Sequence, residues 1–223
     1  MGTRSRIFSA CAAVIGWLAL ILQLCLTMQQ VIDRGGSAAS ALWLWIGYFT
    51  ITTNLLAAAV LSASALGPVG RISRFLGAPG IQSMTAMSIV IVGLIYNLIL
   101  RGLWQPQGWS FVADVMLHDV MPLLFLLHWW CDVPKAALRV RQIGRWQLYP
   151  AGYLIYALLR GALDGWYPYP FIDVTTLGYT RALINAAFVL LAFLALAWAL
   201  VMLGHWQTRR AQRLGTGNGS RGT

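Results

Sequence analysis

Long apolar runs separated by short polar segments dominate the chain. The runs cover about residues 7–30, 41–65, 83–103, 111–131, 148–163 and 182–205. A helix needs about 20 apolar residues to cross a hydrocarbon layer of about 30 Å, and each run reaches or approaches that length. None shows the alternation of a membrane-barrel strand. The pattern therefore predicts an all-α fold, a polytopic transmembrane bundle of six helices forming one domain over residues 1–208.

Basic residues lie at the ends of the apolar runs, and their distribution predicts the topology. One side of the bundle is predicted to carry twelve of them: Arg4, Arg6, Arg71, Arg74, Lys135, Arg139, Arg141, Arg145, Arg209, Arg210, Arg213 and Arg221. Four lie on or near the other side: Arg34, Arg101, Arg160 and Arg181. Because cytoplasmic loops carry the excess of positive charge, both termini are predicted to be cytoplasmic. The basic, Gly/Ser-rich residues 209–223 predict a disordered cytoplasmic tail.

Composition excludes several classes of protein. Hydrophobic residues make up 59% of the chain and charged residues 10%, whereas about a quarter of a soluble domain is charged. The net charge of +10 is not gathered on one polar face, so no nucleic-acid partner is expected. The predicted partners are membrane lipids. The sequence does not indicate an oligomeric state.

Polar residues interrupt the second and fourth runs. If the second helix begins near residue 41, Thr50 lies roughly 13 Å deep, and His118 comes out at a similar depth of roughly 10 Å in the fourth. Asp114 lies one turn before His118 and could hold its imidazole tautomer. Pro122 cannot donate to the His118 carbonyl, which leaves that carbonyl free for another partner. Thr50 and Asn54 also allow a simpler interpretation, as hydrogen-bonding residues between helices.

The third and fifth runs carry polar residues at the same predicted end of the bundle. Asn97 and Arg101 are four residues apart, as are Tyr156, Arg160 and Asp164, so each set forms one stripe on its helix. Ionisable groups inside a membrane are costly, which makes function the default hypothesis. The alternative is a structural network that ties helix ends together.

The sequence predicts neither a metal site nor a cofactor. Asp114, His118 and Asp119 are near each other in the chain, but residues 118 and 119 point in different directions on a helix. No pair of histidines is spaced to bind one metal from a single helix face.

Three short motifs resemble a known family. They are Tyr-Phe-Thr-x-x-x-Asn at 48–54, His-Asp-x-x-Pro at 118–122 and Trp-Tyr-Pro-Tyr-Pro-Phe-Ile-Asp at 166–173. In span order they resemble bacterial six-span membrane proteins of the Pr6Pr type and, more distantly, the androgen-induced gene (FAR-17a) family of transmembrane hydrolases. The eukaryotic histidine stands five residues before its proline, whereas His118 stands four before Pro122. The resemblance implies an integral protein of the bacterial inner membrane.

The resemblance implies a hydrolase of fatty acid esters of hydroxy fatty acids, with Thr50 as nucleophile and His118 as base. The chemistry is reasonable, because a neutral imidazole can take the proton of a hydroxyl that is otherwise a poor nucleophile. Asn97, Tyr156 or Arg160 could stabilise the oxyanion, and their predicted depth is the one reason for naming them. Supporting or substrate-binding roles extend to Asp114, Asn54, Arg101 and Asp164. Two alternatives remain: a transporter or lipid-binding membrane protein without catalysis, and a purely structural membrane protein.

Overall fold

The computed structural model describes residues 2–218, which are helical throughout apart from short connections and contain no strand. The helices are α1 Thr3–Asp33, α2 Ala38–Ile46, α3 Phe49–Leu66, α4 Arg71–Leu76, α5 Pro79–Ile95, α6 Trp109–Val115, α7 Met121–Asp132, α8 Ile143–Trp146, α9 Leu148–Asp164 and α10 Val174–Asn218. The predicted all-α class is therefore confirmed.

Within residues 2–218, five helical stretches are long and apolar enough to cross a membrane, which is compatible with a multi-pass integral membrane protein. They are Thr3–Asp33, Phe49–Leu66, Pro79–Leu103, Trp109–Asp132 and Val174–Arg213. Helix α9, in the position of the fifth predicted run, has 17 residues. The count of six crossings and the cytoplasmic termini stay predictions.

The predicted second helix, 41–65, is two helices in the structure. Helix α2 ends before Gly47, and Tyr48 is extended with φ −90° and ψ 135°, so α3 begins at Phe49. Gly47 lies so close to Arg160 that a Cβ atom there would be 2.2 Å from the guanidinium. The break places Thr50 in the first turn of α3, and not nine residues into a continuous helix.

Two π-helical segments interrupt the helices at the same end of the bundle. Tyr96–Leu100 extends α5, and Met116–Val120 joins α6 to α7. Pro122 lacks the N–H that would bond the His118 carbonyl, and that carbonyl instead lies against Gly93, where a Cβ would be 3.0 Å away. Such segments are frequent at functional sites.

Small residues let α1 pack closely against its neighbours. Its buried face includes Ala12, Ala13, Gly16 and Ala19, and a Cβ at Gly16 would be 2.6 Å from the Met121 methyl group. The opposite face exposes aliphatic side chains, of which Leu18 is 60% exposed. Such an arrangement is typical of helices that pack on small residues and face lipid on the other side.

Helix α10 includes a break at Gly178, which has a positive φ of 72°. The tail predicted from residue 209 includes the last residues of α10, which ends at Asn218. Residues 219–223 of the predicted tail lie outside the described residues.

One end of the bundle gathers the C-terminal ends of α1, α5 and α9 and the N-terminal ends of α3, α6 and α10. Contacts among these helix ends form the candidate site, and we call this end the upper end.

Candidate active site

The structure brings Thr50 and His118 together at the upper end. Thr50 Oγ1 lies 3.4 Å from His118 Nε2, although 68 residues separate them in the sequence. Thr50 comes from the first turn of α3 and His118 from the π segment between α6 and α7. Both side chains are only partly accessible, so the pair is sheltered but can be reached.

Asp114 fixes the proton on the far nitrogen of the His118 ring. His118 Nδ1 lies 2.9 Å from the backbone carbonyl oxygen of Asp114, which can only accept, so Nδ1 carries the proton. Nε2 is then the acceptor that faces the Thr50 hydroxyl. The carboxylate oxygen Oδ1 of Asp114 is 3.3 Å from the same nitrogen. It has no hydrogen-bond partner among the residues described, which leaves it available to a positive charge on the imidazole.

Tyr96 holds both members of the His118–Asp114 pair. Its ring stacks on the His118 ring with centroids 3.7 Å apart, and its hydroxyl donates to Asp114 Oδ2 at 2.6 Å. One residue of the stack belongs to each π segment. The π geometry of the two helices is therefore what sets the position of the imidazole.

Asn54 links the elements that carry Thr50 and His118 through their backbones. Its Nδ2 donates to the carbonyl of Thr50 at 2.9 Å and to the carbonyl of Leu117 at 3.2 Å. Leu117 precedes His118, so this one amide links α3 to the π segment. Asn54 is fully buried, in keeping with a role in positioning.

The N-terminus of α3 meets Tyr169 from the segment that follows α9. The Thr50 N–H donates to the Tyr169 hydroxyl oxygen at 3.3 Å. Burial raises the pKa of the Tyr169 phenol to about 12, although hydrogen bonds from Thr50 act in the opposite direction. The phenol thus keeps its proton at neutral pH. An O–H and a helix-terminal N–H without a helical acceptor, both beside one hydroxyl, are the kind of donors that bind an oxyanion.

Thr50 lies on the boundary between two cavities of different character. The upper one, about 400 Å³, is lined by His118, Asp114 and polar side chains of α1, namely Gln23, Thr27 and Gln30. The lower one is narrow, about 70 Å³, and almost wholly apolar. Thr50 and Tyr169 line both cavities.

Asn97 and Arg101 form a second cluster with Asp119. Asn97 Nδ2 donates to Asp119 Oδ1 at 2.8 Å, and Arg101 forms an ion pair with the same carboxylate. The Arg101 guanidinium also lies 5.2 Å from the centre of the Tyr96 ring. This cluster borders the Thr50–His118 pair through Tyr96, but its polar atoms are engaged with one another.

Tyr156, Arg160 and Asp164 form a third cluster. The Arg160 guanidinium donates to Asp164 at 3.1 Å, to the Tyr156 hydroxyl at 3.1 Å and to the carbonyl of Trp43 at 2.9 Å. It is also stacked between the indoles of Trp43 and Trp166. The cluster joins α2, α9 and the following loop, and its hydrogen bonds are structural in kind. The layer of polar residues predicted from sequence therefore divides into three clusters, of which one contains the Thr50–His118 pair.

His128 is fully buried in α7, toward the end of the bundle opposite the upper end. Gln82 donates to the Gly77 carbonyl through Nε2, so its Oε1 accepts from His128 Nε2 at 2.7 Å. Because Nε2 carries the proton, it cannot act as a base toward Ser64, whose hydroxyl is 3.5 Å away. Its other ring nitrogen, Nδ1, lies 3.2 Å from the Ser9 hydroxyl, so His128 links α1, α5 and α7 through hydrogen bonds.

Sequence reasoning missed several residues of the site. Gln23, Thr27 and Gln30 recur at intervals of four and three residues in an otherwise apolar run, which places them on one helix face. That stripe could have been found. Tyr96 and Tyr169 gave no such signal, because tyrosines near helix ends are ordinary membrane-interface residues.

Comparison with known proteins assigns no family. No protein-family model, no curated protein and no solved structure matches the chain. The resemblance to the Pr6Pr and FAR-17a proteins therefore stays a prediction made from three short motifs. The functional interpretation depends on the geometry described above.

Proposed function

We propose that the protein is an intramembrane hydrolase of lipid esters, with Thr50 as nucleophile and His118 as general base. The observation that carries this proposal is the array Thr50 Oγ1, His118 Nε2, His118 Nδ1 and Asp114, with separations of 3.4 Å and 3.3 Å across the imidazole. It has the roles of a nucleophile, a base and an orienting acid, the logic of a hydrolase triad. The proposed ester class, fatty acid esters of hydroxy fatty acids, comes from the family resemblance alone.

The membrane setting is part of the proposal. Helix α9 is about 25 Å long at the helical rise, nearly the thickness of a hydrocarbon layer. Leu159 and Leu163 are 59% and 88% exposed on its outer face, as expected of side chains against lipid. We therefore count α9 as the sixth crossing of a bacterial inner-membrane protein with both termini in the cytoplasm. The upper end then faces outward.

Acylation is the first half of the reaction. The Thr50 hydroxyl oxygen attacks the ester carbonyl carbon while its proton passes to His118 Nε2. Asp114 faces the resulting imidazolium, and the carbonyl oxygen becomes an oxyanion. The bond to the alkoxy oxygen then breaks, and that oxygen takes the proton from His118. An alcohol leaves and an acyl group remains on Thr50.

Hydrolysis of the acyl-enzyme completes the cycle. A water molecule gives a proton to His118 Nε2 as its oxygen adds to the acyl carbon. The bond to Thr50 breaks and the threonine oxygen recovers the proton. The products are a carboxylic acid and an alcohol, from one ester and one water. The polar upper cavity is the route by which water reaches the acyl carbon.

The Tyr169 hydroxyl and the Thr50 N–H supply the oxyanion donors. Both lie beside the nucleophile, and the Thr50 N–H, which donates to the Tyr169 oxygen, becomes available to a substrate oxygen when the Tyr169 side chain shifts. The dipole of α3 adds positive potential at its N-terminus. We propose these two donors for the oxyanion in place of Asn97, Tyr156 and Arg160, which were candidates because of their predicted depth in the membrane.

Ester hydrolysis by purified protein in detergent tests the proposal. We expect wild-type protein to hydrolyse p-nitrophenyl esters and a fatty acid ester of a hydroxy fatty acid, and Thr50→Ala to lose this activity. Thr52→Ala is the matched control, because Thr52 is on the same helix and bonds the Phe49 carbonyl. Activity that survives in Thr50→Ala, or is absent from folded wild-type protein, would overturn the proposal.

A further inference from the structure

The lower cavity extends from Thr50 toward the middle of the bundle. Its walls come from α3, α5, α9 and α10 and from Phe171 and Ile172. On α10 the lining residues run from Ala186 to Phe193, a length of about 10 Å at the helical rise. Because α10 begins at the upper end, the cavity leads away from that end, down the bundle axis.

Most of the side chains that line this cavity are apolar and suited to contact a hydrocarbon chain. Ile91, Val92, Ile95, Leu154, Val189 and Leu190 contribute aliphatic surface. The tyrosine hydroxyls at its edge are directed elsewhere, since Tyr153 donates to the Gly47 carbonyl at 2.8 Å and Tyr96 to Asp114. The cavity therefore offers an acyl chain no polar group except those at Thr50.

The upper cavity has the opposite character and no cationic side chain in its lining. Its polar groups include the amides of Gln23 and Gln30, the Thr27 hydroxyl and the His118–Asp114 pair. Amides and hydroxyls suit an alcohol, an ester oxygen or water. Polar groups thus lie above Thr50 and apolar groups below it.

We propose that the lower cavity is the acyl-chain site and that the upper cavity takes the leaving alcohol. A lipid in the adjoining leaflet already points its chains toward the membrane middle and its polar part outward. The ester would enter in that orientation, with its carbonyl carbon at Thr50, the acyl chain along α10 and the alcohol beside Gln23. The narrow lower cavity selects one unbranched chain. The placement of the ester carbonyl at Thr50 for hydrolysis rests on the proposed function. Binding of the acyl chain in the lower cavity does not.

A phenylalanine in the lower cavity tests the chain site by kinetics. Val189→Phe fills the cavity below Thr50, and Leu191→Phe, whose leucine is 57% exposed on the same helix, is the matched control. We expect Val189→Phe to lower kcat/KM for p-nitrophenyl octanoate by about tenfold or more while the acetate ester changes little. Leu191→Phe should change neither. Equal losses on both esters, or no loss on octanoate, would overturn the assignment.

A photoreactive fatty acid tests the same site without catalysis. Octanoic acid with a diazirine at its chain end should crosslink to lining residues such as Val189 and Phe193, in wild type and in Thr50→Ala alike. Val189→Phe should remove these crosslinks and Leu191→Phe should keep them. Crosslinks in a protein that hydrolyses no ester would leave the chain site standing and overturn the proposed function. Hydrolysis without crosslinks in this cavity would overturn the chain site and leave the proposed function standing.

Discussion

His118 Nδ1 lies 2.9 Å from the Asp114 carbonyl oxygen and 3.3 Å from the Asp114 carboxylate. The carbonyl selects the tautomer, and the carboxylate adds its charge when the ring becomes positive. The two effects come from one residue, four positions before His118. Because the carbonyl is backbone, it persists in any Asp114 variant, so substitution isolates the carboxylate.

We predict that Asp114→Asn lowers kcat by on the order of 10² without a comparable change in KM. The backbone carbonyl still holds the tautomer, but the charge that stabilises the imidazolium is lost. Asp119→Asn is the control, since Asp119 adjoins His118 in sequence but pairs with Arg101. Steady-state kinetics on one ester measures both variants. Equal effects of the two changes would contradict a specific role for Asp114.

Tyr169→Phe tests the oxyanion donors. Removing this hydroxyl leaves the Thr50 N–H as a single donor, and loss of one such donor costs about 10²–10³ in kcat. We expect KM to stay close to wild type, because the ground-state ester does not depend on that bond. Tyr167→Phe, at a neighbouring aromatic of the same loop, should leave kcat unchanged. A rise in KM with unchanged kcat would mean that Tyr169 only binds substrate.

We expect Arg160 to contribute more to the stability of the fold than to kcat. Arg160→Met removes a buried guanidinium that bonds α2, α9 and the following loop, so we expect the apparent Tm in detergent to fall by about 5 °C or more. Arg101→Met, at a side chain that is 45% exposed, should shift it far less. Thermal unfolding by intrinsic fluorescence gives both values. A large loss of kcat with unchanged Tm would instead place Arg160 in the active site.

Lys135, the one lysine of the chain, should titrate in an unusual range. It lies between α7 and α8, and its ammonium donates to the carbonyls of Trp129 and Trp130 at the end of α7. Burial lowers the pKa of Lys135 to about 8 from its ordinary value of 10.5. A lowered lysine pKa means that protonation disfavours the folded state, so stability should rise as pH increases from about 8 toward 10.5.

NMR of protein labelled with ¹³C at the lysine side chain reads this pKa from a single side-chain signal. A midpoint near the ordinary value would show that Lys135 is solvated and not buried. The neighbouring C-terminal turn of α7 would then need another partner for its carbonyls.

The class of fold could be predicted because apolar runs of membrane length leave a helix as the only solution for their backbones. The break at Gly47 in the second predicted helix could not be predicted from the sequence. The run stays apolar through residues 41–49, and the close approach of Arg160 and Trp166, both more than a hundred residues later, explains why a glycine is needed there.

The pairing of Thr50 with His118 was predicted by similar depth and by resemblance, yet for Thr50 the depth argument assumed a continuous helix. The structure places Thr50 in a helix N-terminus, where its own N–H is free of helical bonds. The π segments also escaped prediction, although Pro122 indicated that the His118 carbonyl would lack its helical donor. Contacts between distant helices, such as the Tyr96–His118 stack, are not encoded in any local pattern.

Covalent capture of Thr50 tests the central claim most directly. A fluorophosphonate probe added to the protein in membranes should form one adduct, and mass spectrometry of the digested protein should locate it on Thr50. Thr52→Ala should be labelled like wild type, while Thr50→Ala and His118→Ala should not be labelled. An adduct on another residue, equal labelling of Thr50→Ala, or no adduct on folded wild-type protein would contradict the account.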